Sequence, residues 1–443
     1  MSVVPSQPGR GRFALPGAHF AVATCYLVAA AAGLVWIAPQ LAAGDFASPR
    51  VAGVTHLFTL GWLTTTIFGA LYQLMPSALG APIRWPRIGY ASLAAFAPGV
   101  AAFALGVATG GAAAQYAGVC LVALGVALAV ANIAATLPRA RRHDVTWAGI
   151  AIAITYLSVA LLLGALLFHN LRTGAIAAAR IRVLATHLHV AIVGWVLMMI
   201  VGVSHRLLPM FLIARGADTR WTARALASLA AGVPVLGAGF LTHRAPVVWM
   251  GAAVLDLGVA LFLYQAFCFV RARVRKRIDI GMRYAGVGLS FLAAAAVLGP
   301  IVLWRRPLSM RLATTYVLLG LLGGIVMFVI GLFYKIVPML AWTARYGGQA
   351  KPNVPTIADM FSEPVARAQL VLMTGAILAM AGAILSGSPI GARIGAAAFL
   401  LGVLLFGRQI LRVALGRSSS RHEPNGLAAR HSGRSARAVV TRV

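Results

Sequence analysis

The sequence predicts an all-α polytopic membrane protein, with about twelve transmembrane helices in three pseudo-repeated blocks of four. Two observations carry this expectation. The first is composition: of 443 residues, 60% are hydrophobic and 10% charged, and the mean hydropathy is +0.88. Apolar runs of about 20 residues cross a bilayer as helices, whereas an open sheet edge cannot be satisfied in lipid. The second is a long-period repeat, which sets an architecture before any single element does. The stretch THLFTLGWLTTTIFGALYQLMP (55–76) is echoed by ATHLHVAIVGWVLMMIVGVSHRLLP (185–209) and by LLGLLGGIVMFVIGLFYKIVP (318–338).

The three copies align on their prolines, Pro76, Pro209 and Pro338, spaced by 209 − 76 = 133 and 338 − 209 = 129 residues. Fifteen residues before each proline stands a glycine (Gly61, Gly194, Gly323), and another stands seven before (Gly69, Gly202, Gly331). Tyr72, His205 and Tyr334 share the position four before, which points to packing or capping at that level. Twenty before come His56, His189 and Leu318.

In chain order the predicted spans are 17–40, 52–79, 88–109, 113–136, 146–169, 181–213, 222–242, 246–270, 280–304, 311–342, 365–386 and 390–415. The second span of each block carries the repeated signature. The membrane domain is thus 17–415, in blocks of about 17–136, 146–270 and 280–415. Residues 1–16 are a cytoplasmic N-terminal segment, whose Arg10 and Arg12 ahead of a long first span read as an uncleaved anchor. Residues 416–443 are a basic tail without apolar periodicity, expected to be disordered.

The net charge of +30 would suggest nucleic acid in a soluble chain. Here the arginines lie between spans and in the tail, where they are topology signals, so no nucleic-acid partner is expected. One set of loops holds Arg139, Arg141, Arg142, Arg271 through Arg277 and Lys351; the opposite set is poorer. The rich side is expected in the cytoplasm with both termini, in the inner membrane of a bacterium. Spans 2, 6 and 10 then run inward, with His56, His187 and His189 in the outer half of the bilayer. Cys25, Cys120 and Cys268 are scattered through apolar spans without paired spacing, which excludes a disulfide framework or thiolate metal site.

A polar group in hydrocarbon is costly and usually functional. Successive helical residues advance by about 100°, so His187 and His189 point about 200° apart and serve different neighbours. If the blocks form a ring, equivalent positions face equivalent directions, so His56 and His189 do not face each other. His187 faces back towards His56, and two imidazoles across a gap can hold a haem iron from both sides. His189 looks on towards Tyr316, twenty-two residues before Pro338. That second space holds either another haem with one histidine ligand or nothing. A ligand histidine gives its other ring nitrogen to a carbonyl or similar acceptor.

The stretch HLHVAIVGW…HRLLP resembles the paired-histidine helix of haem–copper oxidase subunit I, the catalytic subunit of cytochrome c oxidases and nitric oxide reductases. The resemblance covers the whole chain in architecture and is strongest in spans 2 and 6. It implies twelve helices in three blocks, with haem in the outer half of the membrane. In that family the second helix and the paired-histidine tenth helix share the low-spin haem, the other histidine of the pair carries a high-spin haem, and copper sits on helices 6 and 7. This chain departs from the pattern: its HLH is on span 6, span 10 offers Tyr316, and span 7 has no histidine pair, only His243 at its outer end. The low-spin site carries over to His56 with His187 or His189; the copper site does not, and copper is not expected.

Arg305 and Arg306 lie on the outer side, where haem propionates need charge-assisted bonds, as do Arg180, Arg182 and Arg393. Asp256 is the only acid well inside a span, a candidate for proton handling or a structural partner. His169, at the outer end of span 5, is a candidate ligand or interfacial residue; His143 and His422 read as solvated. No phosphate loop, dinucleotide fingerprint or hydrolase constellation occurs. The expectation is therefore a membrane protein binding one or two haems b, active in electron transfer or in handling oxygen or nitric oxide. Its redox partner would be cytochrome c, a quinol or a small gas. The alternatives are an oxidase or nitric oxide reductase subunit with unrecognised ligands, and a cofactor-free permease or assembly factor.

Overall fold

In the computed structural model, residues 13–216, 218–305, 307–347 and 354–416 are described. They form twelve helices long and apolar enough to cross a membrane, and among them no strand occurs beyond an isolated bridge between Ala214 and Arg273. The first block comprises α1 (Ala14–Ala43), α2 (Pro49–Ala78), α3 (Pro86–Thr109) and α4 (Ala112–Arg139). The second comprises α5 (Val145–Thr173), α6 (Ala177–Leu212), α7 (Arg220–Thr242) and α8 (Ala245–Arg271). The third comprises α9 (Ile280–Trp304), α10 (Met310–Tyr346), α11 (Glu363–Ser386) and α12 (Pro389–Leu415). Each boundary lies within a few residues of its predicted span. The expected tail after Gly416, the basic start, Lys351 and His422 lie outside the described residues.

Within each block the third and fourth helices pack as a hairpin, while the second packs along the first. The second helices, α2, α6 and α10, are the most buried of the twelve and form the inner layer. The last helix, α12, lies against α1 and closes the blocks into a ring.

The repeat extends well beyond the prolines. Each inner helix contains an eight-residue π-helical segment: Leu57–Thr64, Val190–Leu197 and Leu319–Val326. Their ends show the wide i→i+5 turn, with the amides of Thr65, Met198 and Met327 donating to the carbonyls of Leu60, Val193 and Leu322. π turns are rare and concentrate at functional sites, and here each begins one residue after His56, His189 or Leu318.

The shared glycines are seats for aromatic rings from the first helix of each block. A Cβ on Gly61 would lie 2.6 Å from Tyr26 Cγ, on Gly194 2.7 Å from Tyr156 Cγ, and on Gly323 2.6 Å from Phe291 Cγ. Only glycine permits that approach, since carbon contacts settle at about 3.5–4.0 Å. The fourth helix of each block ends in an amide clamp on the chain entering the third. Asn132 holds Trp85, Gln265 holds Asp218 and Thr222, and Gln409 holds Ser362, each through side-chain oxygen and nitrogen. Such a clamp satisfies backbone groups that a helix start would leave orphaned. Asp144 and Asp279 cap α5 and α9 and pair with Arg206 and Lys335 on the neighbouring inner helices.

Candidate functional site

The ring has three seams between blocks, and they differ. The α12/α1 seam is closely packed, while the α4/α5 and α8/α9 seams are loose. A cavity opens at each loose seam.

The first cavity, about 480 Å³, lies between the first and second blocks and is lined by His56 and His187. Their ring centres are 6.4 Å apart and their planes 28° from parallel. The Nδ1 of His56 lies 2.7 Å from the Ala52 carbonyl. A carbonyl only accepts, so Nδ1 carries the proton and Nε2 is the nitrogen with a free lone pair. Phe103 packs edge-on against the same ring at 5.0 Å and fixes its orientation. His187 rests on Gly164 of α5, where a Cβ would come within 3.3 Å of its Cε1. Its Nδ1 is buried without a well-formed hydrogen bond, and the Ala160 carbonyl lies near the ring.

This spacing has a chemical meaning. Imidazole–metal bonds of about 2.0 Å, with about 1.2 Å from nitrogen to ring centre, put two trans imidazoles about 6.4 Å apart, centre to centre. The ring-centre separation of His56 and His187 is thus the one that a metal centre shared between them would need. The rest of the wall is apolar except for threonines and Arg180, whose guanidinium also donates to the Ala47 carbonyl at 2.9 Å. Arg182, two residues on, lines neither cavity; its Nε is buried without an acceptor.

The second cavity, about 250 Å³, lies between the second and third blocks, and His189, Tyr316 and Asp256 line it. Its geometry repeats that of the first. The His189 and Tyr316 rings are 6.3 Å apart and 24° from parallel, and the Tyr316 hydroxyl is 3.4 Å from His189 Nε2. The Nδ1 of His189 meets the Ala185 carbonyl at 2.8 Å, as Nδ1 of His56 meets that of Ala52. Tyr316 rests on Gly299 as His187 rests on Gly164.

At the third seam the matching positions are Val54 and Leu318, both buried and neither a histidine. A wall crosses between the first two blocks just below the first cavity: the Trp195 indole N–H donates to the Thr64 hydroxyl at 3.0 Å.

The structure thus brings His56 together with His187, and His189 with Tyr316. Arg305 is exposed and lines neither cavity, and Arg306 lies outside the described residues. The arginine at the first cavity is Arg180, from the start of α6. His169 is exposed and lines neither cavity. His19 of α1 was not singled out from sequence; its Nδ1 meets the Leu15 carbonyl at 2.9 Å, its Nε2 is buried without a partner, and its ring packs on Tyr72. It fills the seat left by Gly69, where a Cβ would lie 2.7 Å from His19 Cβ, a tertiary contact that carries no signal in the sequence. Among the described residues no group of three or more His, Cys, Asp or Glu is placed to hold a metal ion; a two-imidazole site needs no such group.

Compared with known proteins, the chain matches no family model, and no curated protein matches it significantly.

Proposed function

We propose that this multi-pass membrane protein is a haem protein of haem–copper oxidase subunit I type, holding a haem b between its first two blocks for electron transfer. The observation that carries the reading is the 6.4 Å separation of the His56 and His187 rings within a cavity of about 480 Å³. His56 would hold the iron through Nε2, since its Nδ1 proton is committed to the Ala52 carbonyl, and His187 would hold it from across the cavity. Arg180, in the cavity wall, would offer donors to propionate oxygens. The apolar wall lowers the local dielectric and keeps bulk water from the site. A haem held by these two histidines would supply one-electron chemistry when bound. His189 serves the other cavity, so it is not the partner of His56. The reading places the protein in a bacterial inner membrane with both termini in the cytoplasm, on the arginine asymmetry of the loops.

The test is the reduced-minus-oxidised optical spectrum of purified protein from haem-sufficient cells. Wild type is expected to show a sharp low-spin haem b signal. His56→Ala and His187→Ala each abolish it, while His189→Ala leaves it in place. Colourless, iron-free wild-type protein would refute the proposal.

A further inference from the structure

The second cavity repeats the first in geometry but not in chemistry. Among the described residues, all of its lining is apolar except His189, Tyr316 and Asp256, and no arginine or lysine lines it. It has about half the volume of the first cavity, 250 against 480 Å³. A second haem would bring two propionates into a low-dielectric space that already holds an acid and, among the described residues, offers no cation. Like charges there are strongly unfavourable. A neutral ligand is favoured.

The polar groups define what that ligand must present. Nδ1 of His189 is committed to Ala185, which leaves Nε2 as an acceptor shared only with a long contact from Tyr316. Asp256 stands in the middle of α8 and has no hydrogen bond or ion pair among the described residues. An unpartnered carboxyl within a membrane span is costly and calls for a donor. Two acceptors and one adaptable hydroxyl therefore converge on an otherwise apolar space, which suits a flat aromatic ring bearing hydroxyl groups at its edges.

The α8/α9 seam, between two helices outside the inner layer, is loose and offers a route from the bilayer; Ile181, which lines the cavity at the start of α6, is 45% exposed. The α9 wall of the cavity runs through Gly299 and Pro300, and the proline withholds a hydrogen bond from its helix. The two cavities are separated by a single layer of side chains, since Leu188, Ile192, Val317 and Leu321 line both.

We propose that the second cavity binds the headgroup of a lipid-soluble quinol, with the Asp256 carboxyl and His189 Nε2 taking its hydroxyl groups and Tyr316 adjusting between them. The inference deepens the haem reading by naming the class of redox partner. It is tested by binding, so the two fail separately.

The experiment is anaerobic isothermal titration calorimetry of purified full-length protein with decylubiquinol, beside haem quantitation on the same samples. Wild type is expected to bind saturably at one site per chain. Asp256→Leu should weaken binding by about tenfold or more, the scale of a lost hydrogen bond to a charged group, and the milder Asp256→Asn should weaken it less. Colourless protein that still shows Asp256-dependent binding would uphold this site while refuting the haem reading. Absence of saturable binding by wild type would overturn the inference. So would affinity indifferent to both Asp256 variants, or a second haem per chain that disappears in His189→Ala.

Discussion

The hydrogen bond from Trp195 to Thr64 is the most direct tie between the two helices that carry His56 and His187. Both residues are almost fully buried, and the N···O distance is 3.0 Å. The Thr64 hydroxyl donates in turn to the Thr59 carbonyl at 2.9 Å, so its own hydrogen stays satisfied when the indole is removed. Trp195→Phe therefore loses one bond and leaves a small void, whereas Thr64→Val leaves the indole N–H buried without an acceptor. Each single change is expected to cost about 1–3 kcal/mol. The pairwise part is smaller. Interhelical hydrogen bonds in membrane proteins couple by about 0.6 kcal/mol on average and reach about 1.7. This bond is neutral, buried and of good length, which puts the expectation near 1 kcal/mol. A double-mutant cycle measures it, using reversible unfolding in mixed detergent micelles followed by near-ultraviolet circular dichroism. A coupling below about 0.3 kcal/mol, the usual error of additivity, would show that the contact does not hold the first two blocks together.

Two further outcomes follow from the packing. Gly194→Ala places a carbon 2.7 Å from Tyr156 Cγ, and Tyr156 cannot easily retreat because its hydroxyl donates to the Ala230 carbonyl at 2.6 Å. A loss of about 1–3 kcal/mol is expected, read as a lower temperature at which monodisperse protein is lost in size-exclusion chromatography; Gly299→Ala, at 3.4 Å from Tyr316, is the milder comparison. Asp144 gives a pH dependence: burial pushes its carboxyl up, but hydrogen bonds from Arg206 and from the Trp147 and Thr146 amides outweigh this and hold it below its ordinary value. Its contribution is therefore complete above the ordinary carboxylate range, near about 4, and fades as pH falls through the lower folded value. Asp144→Asn, which still caps α5, should flatten the acid limb of a stability-against-pH curve, and an unchanged limb would refute the assignment.

Much of this was legible in the chain itself. Long apolar runs mark the spans because backbone in lipid has few alternatives to helix. The offsets from Pro76, Pro209 and Pro338 equate His56 with His189, and ring symmetry then sets His56 against His187. That argument holds although the inner helices are not regular: the π segments sit at one offset in all three copies, so equivalence survives where a helical wheel would drift. The π turns themselves leave no periodic signal, since eight residues of near-uniform apolarity such as LGLLGGIV fit any helical pitch. The amide clamps of Asn132, Gln265 and Gln409 were readable only as a third repeat, each 47 residues after its partner. Arg305 resembled an anion ligand by depth alone. Depth does not specify azimuth around the bundle, and it is Arg180, beside Ala47 at the start of α6, that reaches the first cavity.

The close packing of α12 on α1 also bears on how the protein is made. The face of α1 that this contact covers has no partner until the final helix has left the ribosome, some 370 residues later in synthesis. Two blocks can be threaded and seated while the ring still gapes. Chains cut short before Pro389 are then left with an unsealed flank, a mark that membrane quality control can recognise. The same adjacency brings Ala14 and Leu415 to one end of neighbouring antiparallel helices. A short linker between them, with new ends opened in the loop between α4 and α5, is a permutation the architecture should accept.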